Sequence, residues 1–239
     1  DDIDAYFAFD YQNGYYSESQ SSPNQAWMWK RAPNYFDVVA YNGVTGPQTV
    51  SHNLGVAPEM MWVKRRNASW DWYVYHKDLD ATNPSHKYLE LNDTAAVADW
   101  DGAWNDTDPT SSVFSVGDGS NPTNTSGGTY IAYLFASLDG VSKVGSYTGN
   151  GGSSTINVDC GFTSGARFVL IKETSGTGDW WVFDTARGLV AGNDPALKLN
   201  TTDAELSADF IDPYSAGFSL QTNSGINTNG ATFIFYAIA

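Results

Sequence analysis

An internal repeat constrains this chain more than any other feature of its sequence. Val39-Ala40-Tyr41-Asn42-Gly43 matches Gly145-Ser146-Tyr147-Thr148-Gly149, with Tyr41 and Tyr147 separated by 106 residues. Gly55 meets Gly161 at the same spacing. Met61-Trp62-Val63-Lys64 matches Val169-Leu170-Ile171-Lys172 at 108, as do Asp71-Trp72-Tyr73-Val74-Tyr75 with Asp179-Trp180-Trp181-Val182-Phe183. Leu89-Glu90-Leu91-Asn92 and Leu197-Lys198-Leu199-Asn200 keep that spacing. Val113-Phe114-Ser115 then meets Gly217-Phe218-Ser219 at 104, and Thr129 to Tyr133 meets Thr232 to Tyr236 at 103. The blocks stay in order. The spacing drifts only across Gly-, Ser- and Asn-rich gaps, where insertions are tolerated.

The blocks are short, aromatic and β-branched, and turn residues separate them, as expected of antiparallel strands. Aromatics make up 15% of the 239 residues and there are 23 glycines, a composition that favours pleated surfaces joined by tight turns. Trp70, Trp72 and Val74 alternate with Asp71, Tyr73 and Tyr75, which assigns one set to each face of a strand. The expected fold is therefore all-β: two tandem antiparallel β-sandwich (jelly-roll-like) units of about seven strands each. Residues 1–35 form an aromatic-rich extension, 36–137 the first repeat, 138–142 a short linker and 143–239 the second repeat. The closing strands, Tyr130–Ala136 and Phe233–Ala239, are apolar on both faces and need cover on both, from a central position or from the other copy. So short a linker predicts close packing of the units. In the extension, Trp27-Met28-Trp29-Lys30 alternates like a strand and is expected to join the first sheet, while Tyr11–Gln25 reads as loop. Asp203–Asp209 is expected to make a single helical turn.

Twenty-seven acidic residues against 12 basic ones leave a net charge of −15, which repels phosphate backbones and argues against nucleic-acid partners. Cys160 is the single cysteine, so no intrachain disulfide forms, and its place beside Gly161 marks it as a small buried apolar residue. No stretch has the length of a membrane span and no signal peptide is read. The opening Asp1-Asp2-Ile3-Asp4, without a Met, is expected to follow an upstream segment.

Positions matched in both copies are assigned to the shared scaffold: Trp72/Trp180, Val74/Val182, Leu91/Leu199 and Phe114/Phe218 to the core. The polar pairs Lys64/Lys172, Asp71/Asp179 and Asn92/Asn200 are assigned to turns and backbone partners. Unmatched features are better candidates for a specific role. Trp100, Asp101, Trp104 and Asn105 lie in a polar stretch that the second copy lacks. Exposed indoles stack on pyranose C–H faces while carboxylates and amides accept hydroxyl protons, so these four, with Trp70, form the candidate glycan site. The alternative is that the indoles fold back as a plug over the end of the sandwich. Asp118 and Asn121, in Val116-Gly117-Asp118-Gly119-Ser120-Asn121, and Asp194, in Gly192-Asn193-Asp194-Pro195, sit in oxygen-rich turns that could hold Ca²⁺, without the EF-hand spacing. Otherwise no cofactor is expected. His52, His76 and His86 lack the spacing of a metalloprotease helix, and no nucleophile elbow or phosphate loop is present. Asn67, Asn92, Asn105, Asn124 and Asn200 begin Asn-x-Ser/Thr sequons.

Trp29 to Val39 followed by Tyr41, Pro109 to Ser115, Tyr130 to Ala136, and Gly188 to Pro195 with its Gly-Asn-Asp-Pro together resemble a known pattern. It is that of a repeated β-rich domain in predicted tail-fibre and other virion proteins of marine bacteriophages. The resemblance spans residues 27–239, and residues 1–26 depart from it. It implies a non-enzymatic particle protein, located in the virion or extracellularly. Its expected partners are copies of itself, other virion proteins and a host-surface glycan, without membrane insertion. A secreted bacterial carbohydrate-binding module is the alternative, and a glycan-degrading enzyme stands below both.

Overall fold

The computed structural model describes residues 7–11, 14–17, 26–119, 122–221 and 224–239. Strands β1 (Phe7–Tyr11) and β2 (Gly14–Ser17) form a hairpin, so part of the expected 11–25 loop is strand. The first repeat contributes β3 (Phe36–Asn42), β4 (Gln48–Ser51), β5 (Met60–Arg65), β6 (Trp72–His76), β7 (Lys87–Glu90), β8 (Ala98–Asp99), β9 (Val113–Val116) and β10 (Thr129–Phe135). The second contributes β11 (Ser142–Thr148), β12 (Ile156–Asp159), β13 (Phe168–Glu173), β14 (Trp180–Asp184), β15 (Asp194–Lys198), β16 (Leu206–Ala208), β17 (Ile211–Tyr214), β18 (Gly217–Leu220) and β19 (Thr232–Ile238). The expected turn at 203–209 is instead β16, which pairs with β15; the one α-helical turn described is Ser224–Asn227.

Each repeat folds into a lopsided antiparallel sandwich. Six strands in the order β3-β10-β5-β6-β7-β8 face the β4-β9 pair, and six in the order β11-β19-β13-β14-β15-β16 face β12-β18-β17. A jelly roll divides its eight strands between two comparable sheets; here the division is six to two and six to three. Alternation then sorts side chains by face. Tyr130, Ala132 and Leu134 of β10 point into the first sandwich, against Val50, Phe114 and Val116 of the small sheet. Phe233, Phe235 and Ala237 of β19 do the same in the second, against Val158, Phe218 and Leu220.

The other faces of the two six-stranded sheets meet each other. Phe36, Met60, Trp62, Val74 and Phe135 pack against Val144, Phe168, Leu170, Val182, Ile234 and Tyr236 in a third core. This seam accounts for the closing strands being apolar on both faces: β10 and β19 each lie inside a sheet and between two cores. Burying one such side chain is worth about 1.5–3 kcal/mol, and a seam of this size ties the units into one four-layered body.

The strap Trp27–Lys30 alternates as expected, with its two indoles turned in, but it pairs with no strand. Its side chains are committed to the seam. Trp29 packs edge-on to Trp62, Phe135 and Phe168, and Trp27 Nε1 donates to Asp184 in the second unit at 3.0 Å. The expected linker, 138–142, is the opening turn of the second repeat. The bridge Leu138–Ser142 repeats Ala32–Phe36 at 106 residues, with Asn34 (φ 60°) and Gly140 (φ 71°) matched at the left-handed position. The repeat therefore begins before residue 36.

Candidate functional site

The segment between β8 and β9 is built around one buried indole. Trp104 is fully buried (0% exposed), donates from Nε1 to the Lys87 carbonyl at 3.0 Å, and packs edge-on to Tyr75. This corrects its assignment as a glycan-stacking residue: a core position with its only donor satisfied offers nothing to solvent. The plug reading describes Trp104. Next to it, Ala103 is also buried, and its carbonyl accepts the Thr123 hydroxyl at 2.7 Å.

Pinned at 103–104, the loop turns its remaining candidates outward. Trp100 N–H donates to His86 O at 2.7 Å, and Asp106 N–H to Asp101 O at 3.0 Å. Asn105 and Asp106 take left-handed backbone angles (φ 52° and 48°), which their short polar side chains tolerate better than most. Asp106 is held by a contact with His86 Nε2. The Trp100 ring stands edge-on to Tyr88, centroids 6.2 Å apart, and stays 37% exposed. Tyr88 in turn packs on Tyr73 at 5.2 Å, so a chain of rings ties Trp100 to the sheet. Burial, followed by the charges of Glu90 and Asp71, raises the Tyr88 phenol above its ordinary range and keeps it neutral.

Trp100, Asp101 and Asn105 line one pocket of about 400 Å³, together with Asp106, Pro47 and Asp118. Asp118, a metal candidate in the sequence, is instead a wall of this pocket. An exposed ring beside three carboxylates and an amide suits a neutral, hydroxyl-rich ligand and repels an anionic one. Trp70 does not belong to it. It sits at the β5–β6 turn, 39% exposed, with the Arg65 guanidinium 5.8 Å from its ring. That places it by the Asn92 end of β7, whereas Trp100 is fastened at the His86 end.

Among the described residues no three His, Cys, Asp or Glu side chains gather as metal ligands. Asp194 is buried and accepts the backbone N–H groups of Val190 and Ile211 at 3.1 and 3.0 Å. Burial raises its pKa, and its oxygens close a loop rather than face a cation, which corrects its assignment. Asn121 lies outside the described residues. The histidines also have local partners: His52 Nδ1 accepts from Leu54 N–H at 3.2 Å, and His76 Nδ1 from Asp78 N–H at 3.1 Å. Cys160 is buried, and that burial pushes its thiol up to about 12.

The chain belongs to the DUF7483 family, described as a domain of unknown function. The family model matches residues 18–239. No curated protein and no solved structure matches the chain. No helix among the described residues is long and apolar enough to cross a membrane.

The matched polar pairs have the structural roles expected of them in this DUF7483 chain. Asn92 accepts Trp72 N–H at 2.8 Å and donates to Asp71 at 2.8 Å; Asn200 repeats both bonds with Trp180 and Asp179. A second duplicated clamp escaped the sequence reading. Asn124 and Asn227 are fully buried and bridge backbone groups of neighbouring loops: Asn124 accepts Val44 N–H at 3.0 Å, and Asn227 accepts Asn150 N–H at 2.8 Å. They stand 103 residues apart, the spacing of the closing strands, and that coincidence was the available signal. With its amide enclosed, the sequon at Asn124 cannot accept a glycan in the folded chain.

Proposed function

We propose that this chain is a non-enzymatic structural module of a phage particle, displayed at its surface, that contributes to host attachment by holding a glycan at the Trp100 pocket. One observation carries the glycan reading. An exposed indole, held in place by Tyr88, opens onto a pocket whose walls are Asp101, Asn105, Asp106 and Asp118. The ring offers a face to sugar C–H groups, and the carboxylates and amide offer acceptors and a donor to hydroxyls. Neutral sugars suit a pocket so rich in acid. The virion reading rests on the resemblance of residues 27–239, and a fused, four-layered body with little internal freedom suits a particle component.

A glycan array and particle-free solution measurements test it. Trp100→Ala is expected to abolish binding to neutral glycans with the melting temperature unchanged, and Asp101→Asn to weaken it. Unchanged binding in Trp100→Ala would remove the site. A discrete homo-oligomer in solution supports the particle role. A monomer that binds sugar at millimolar affinity favours a secreted carbohydrate-binding module, and polysaccharide turnover lost on changing one carboxylate would overturn the non-enzymatic reading.

A further inference from the structure

The seam between the units is closed at one end and open at the other. At the closed end, backbone of residues 90–97 in the first unit covers the second. Trp180 Nε1 donates to Glu90 O at 2.9 Å, Lys172 Nζ to Thr94 O at 3.1 Å, and Val97 N–H to Thr174 O at 3.0 Å. Both covered side chains are buried. The matched pair in the first unit, Trp72 and Lys64, has no such cover. Trp72 is half-buried and its Nε1 has no partner among the described residues. The Lys64 ammonium donates to the Trp70 carbonyl and lies 5.8 Å from the Trp72 ring centre. There the sheets stand apart around a cleft of about 920 Å³, with the strap residue Trp29 on one wall and Trp72, Tyr133, Leu91 and Leu199 among the others. Leu91 and Leu199 are themselves a matched pair, so the cleft is the unclosed half of an approximately symmetric contact.

Two properties define what fits it. The walls are rings and aliphatic chains, and the volume is that of a small-molecule site. Three cationic side chains stand at or near the mouth, in a chain of net charge −15. Lys30 lines it, Lys64 stands over Trp72, and the Arg66 charge opposes the burial that raises the Tyr133 phenol. None of the three pairs with a carboxylate among the described residues. At the closed end Glu173 and Thr174 stand where the first unit has Arg65 and Arg66, so this charge belongs to the open end. The closed end also shows what the tryptophan–lysine pair takes, which is oxygen acceptors. We infer that the cleft binds an amphipathic organic anion. Its aromatic or aliphatic body lies between Trp72 and Leu199, and its carboxylate, sulfonate or phosphate head sits on Lys64. Lys30 and Arg66 add longer-range attraction. The site is on the opposite face of the six-stranded sheet from Tyr88 and Trp100, and it stands whether or not the Trp100 pocket binds sugar.

The test uses the full chain with two probes that share an anilinonaphthalene body: 1-anilinonaphthalene-8-sulfonate and the uncharged N-phenyl-1-naphthylamine. One site per chain is expected by fluorescence titration. Lys64→Gln should weaken the sulfonate roughly ten-fold, the scale of one charge-assisted hydrogen bond, and leave the uncharged probe unchanged. Leu199→Trp, which fills the cleft, should remove both, with the fold checked by circular dichroism. The inference is overturned if the folded chain binds neither probe, or if Lys64→Gln affects both equally. Binding that appears only after removal of residues 1–25 would assign the cleft to the chain's own leading segment, and self-association that blocks the probes would assign it to a second copy. Either result also overturns the inference.

Discussion

The two units share a strand plan and differ at the positions where that plan is finished. Each has to close one end of its core. The first does so with Trp104, which packs on Tyr75 and reaches Lys87 O; the second uses Phe210, which packs on Phe183 and Trp181. Trp104 and Phe210 are 106 residues apart and their partners Tyr75 and Phe183 are 108 apart, so the two plugs are equivalent. Beyond the plug the copies diverge. The second unit adds β17 to its small sheet, whereas the first leaves the strand out and runs on as a loop from Asn105 and Asp106, which line the Trp100 pocket. The scaffold thus asks for an aromatic ring at this point, and new surface arises where one copy builds a loop and the other a strand.

The largest effect should come from removing a plug. Trp104→Ala is expected to cost about 5 kcal/mol, and Phe210→Ala about 4, in guanidinium unfolding. Tryptophan loses more because Lys87 O is orphaned as well. A Trp104→Ala loss below about 1 kcal/mol would end the equivalence.

Acid should separate the units next. His76 and Asp184 occupy matched strand positions. Burial pushes His76 down to about 3 from 6.5, so the unfolded chain takes up the proton first. Its contribution is complete above pH 6.5 and is lost as pH falls toward 3, about 5 kcal/mol in all. Burial alone would raise the Asp184 carboxyl, but Trp27 and Arg187 outweigh it and hold it low, so its contribution disappears only below about pH 4. His76→Asn should reduce the loss of stability between pH 6.5 and 4, leaving the share of His52, which burial also lowers, and should keep the lower limb in place. A full-size loss in that window for His76→Asn would refute the assignment.

Smaller still is the asymmetry of the seam. Trp180→Phe removes a bond to Glu90 and should cost about 1 kcal/mol, whereas Trp72→Phe should stay within about 0.5. Equal losses would mean that the seam closes at both ends in solution. Trp100→Ala, at an exposed ring, should change stability least, again by under about 0.5 kcal/mol.

Much of the fold was legible because repetition exposes period and register together. Matching Trp72 with Trp180 placed both in the scaffold, and the two-faced apolarity of Tyr130–Ala136 announced a second core. The candidate site was legible only in part. Trp100, Asp101 and Asn105 were found through the absence of a counterpart. Trp104 was misassigned for the same reason, since its counterpart is a phenylalanine in a segment that sequence matching did not align. Pro47 enters the pocket from a distant block, and Tyr88 and His86 support Trp100 and Asp106 from behind it; none of the three carries a local mark. The strap shows the same limit: alternation at Trp27–Lys30 gave the direction of its side chains, but not whether a ladder or a seam would receive them.

The sequence by itself determined the repeat, the antiparallel sandwiches and which strands need cover on both faces, because alternation and spacing are local properties of the chain. Tertiary structure decided which copy's loop lies over which, and so which of two equivalent tryptophans is sealed and which opens on a cleft. It also decided that, of the neighbouring indoles Trp100 and Trp104, one is surface and the other core. Those outcomes depend on contacts between segments distant in the chain, such as Trp180 with Glu90, 90 residues away, whose energies belong to the packed faces and not to any stretch of sequence.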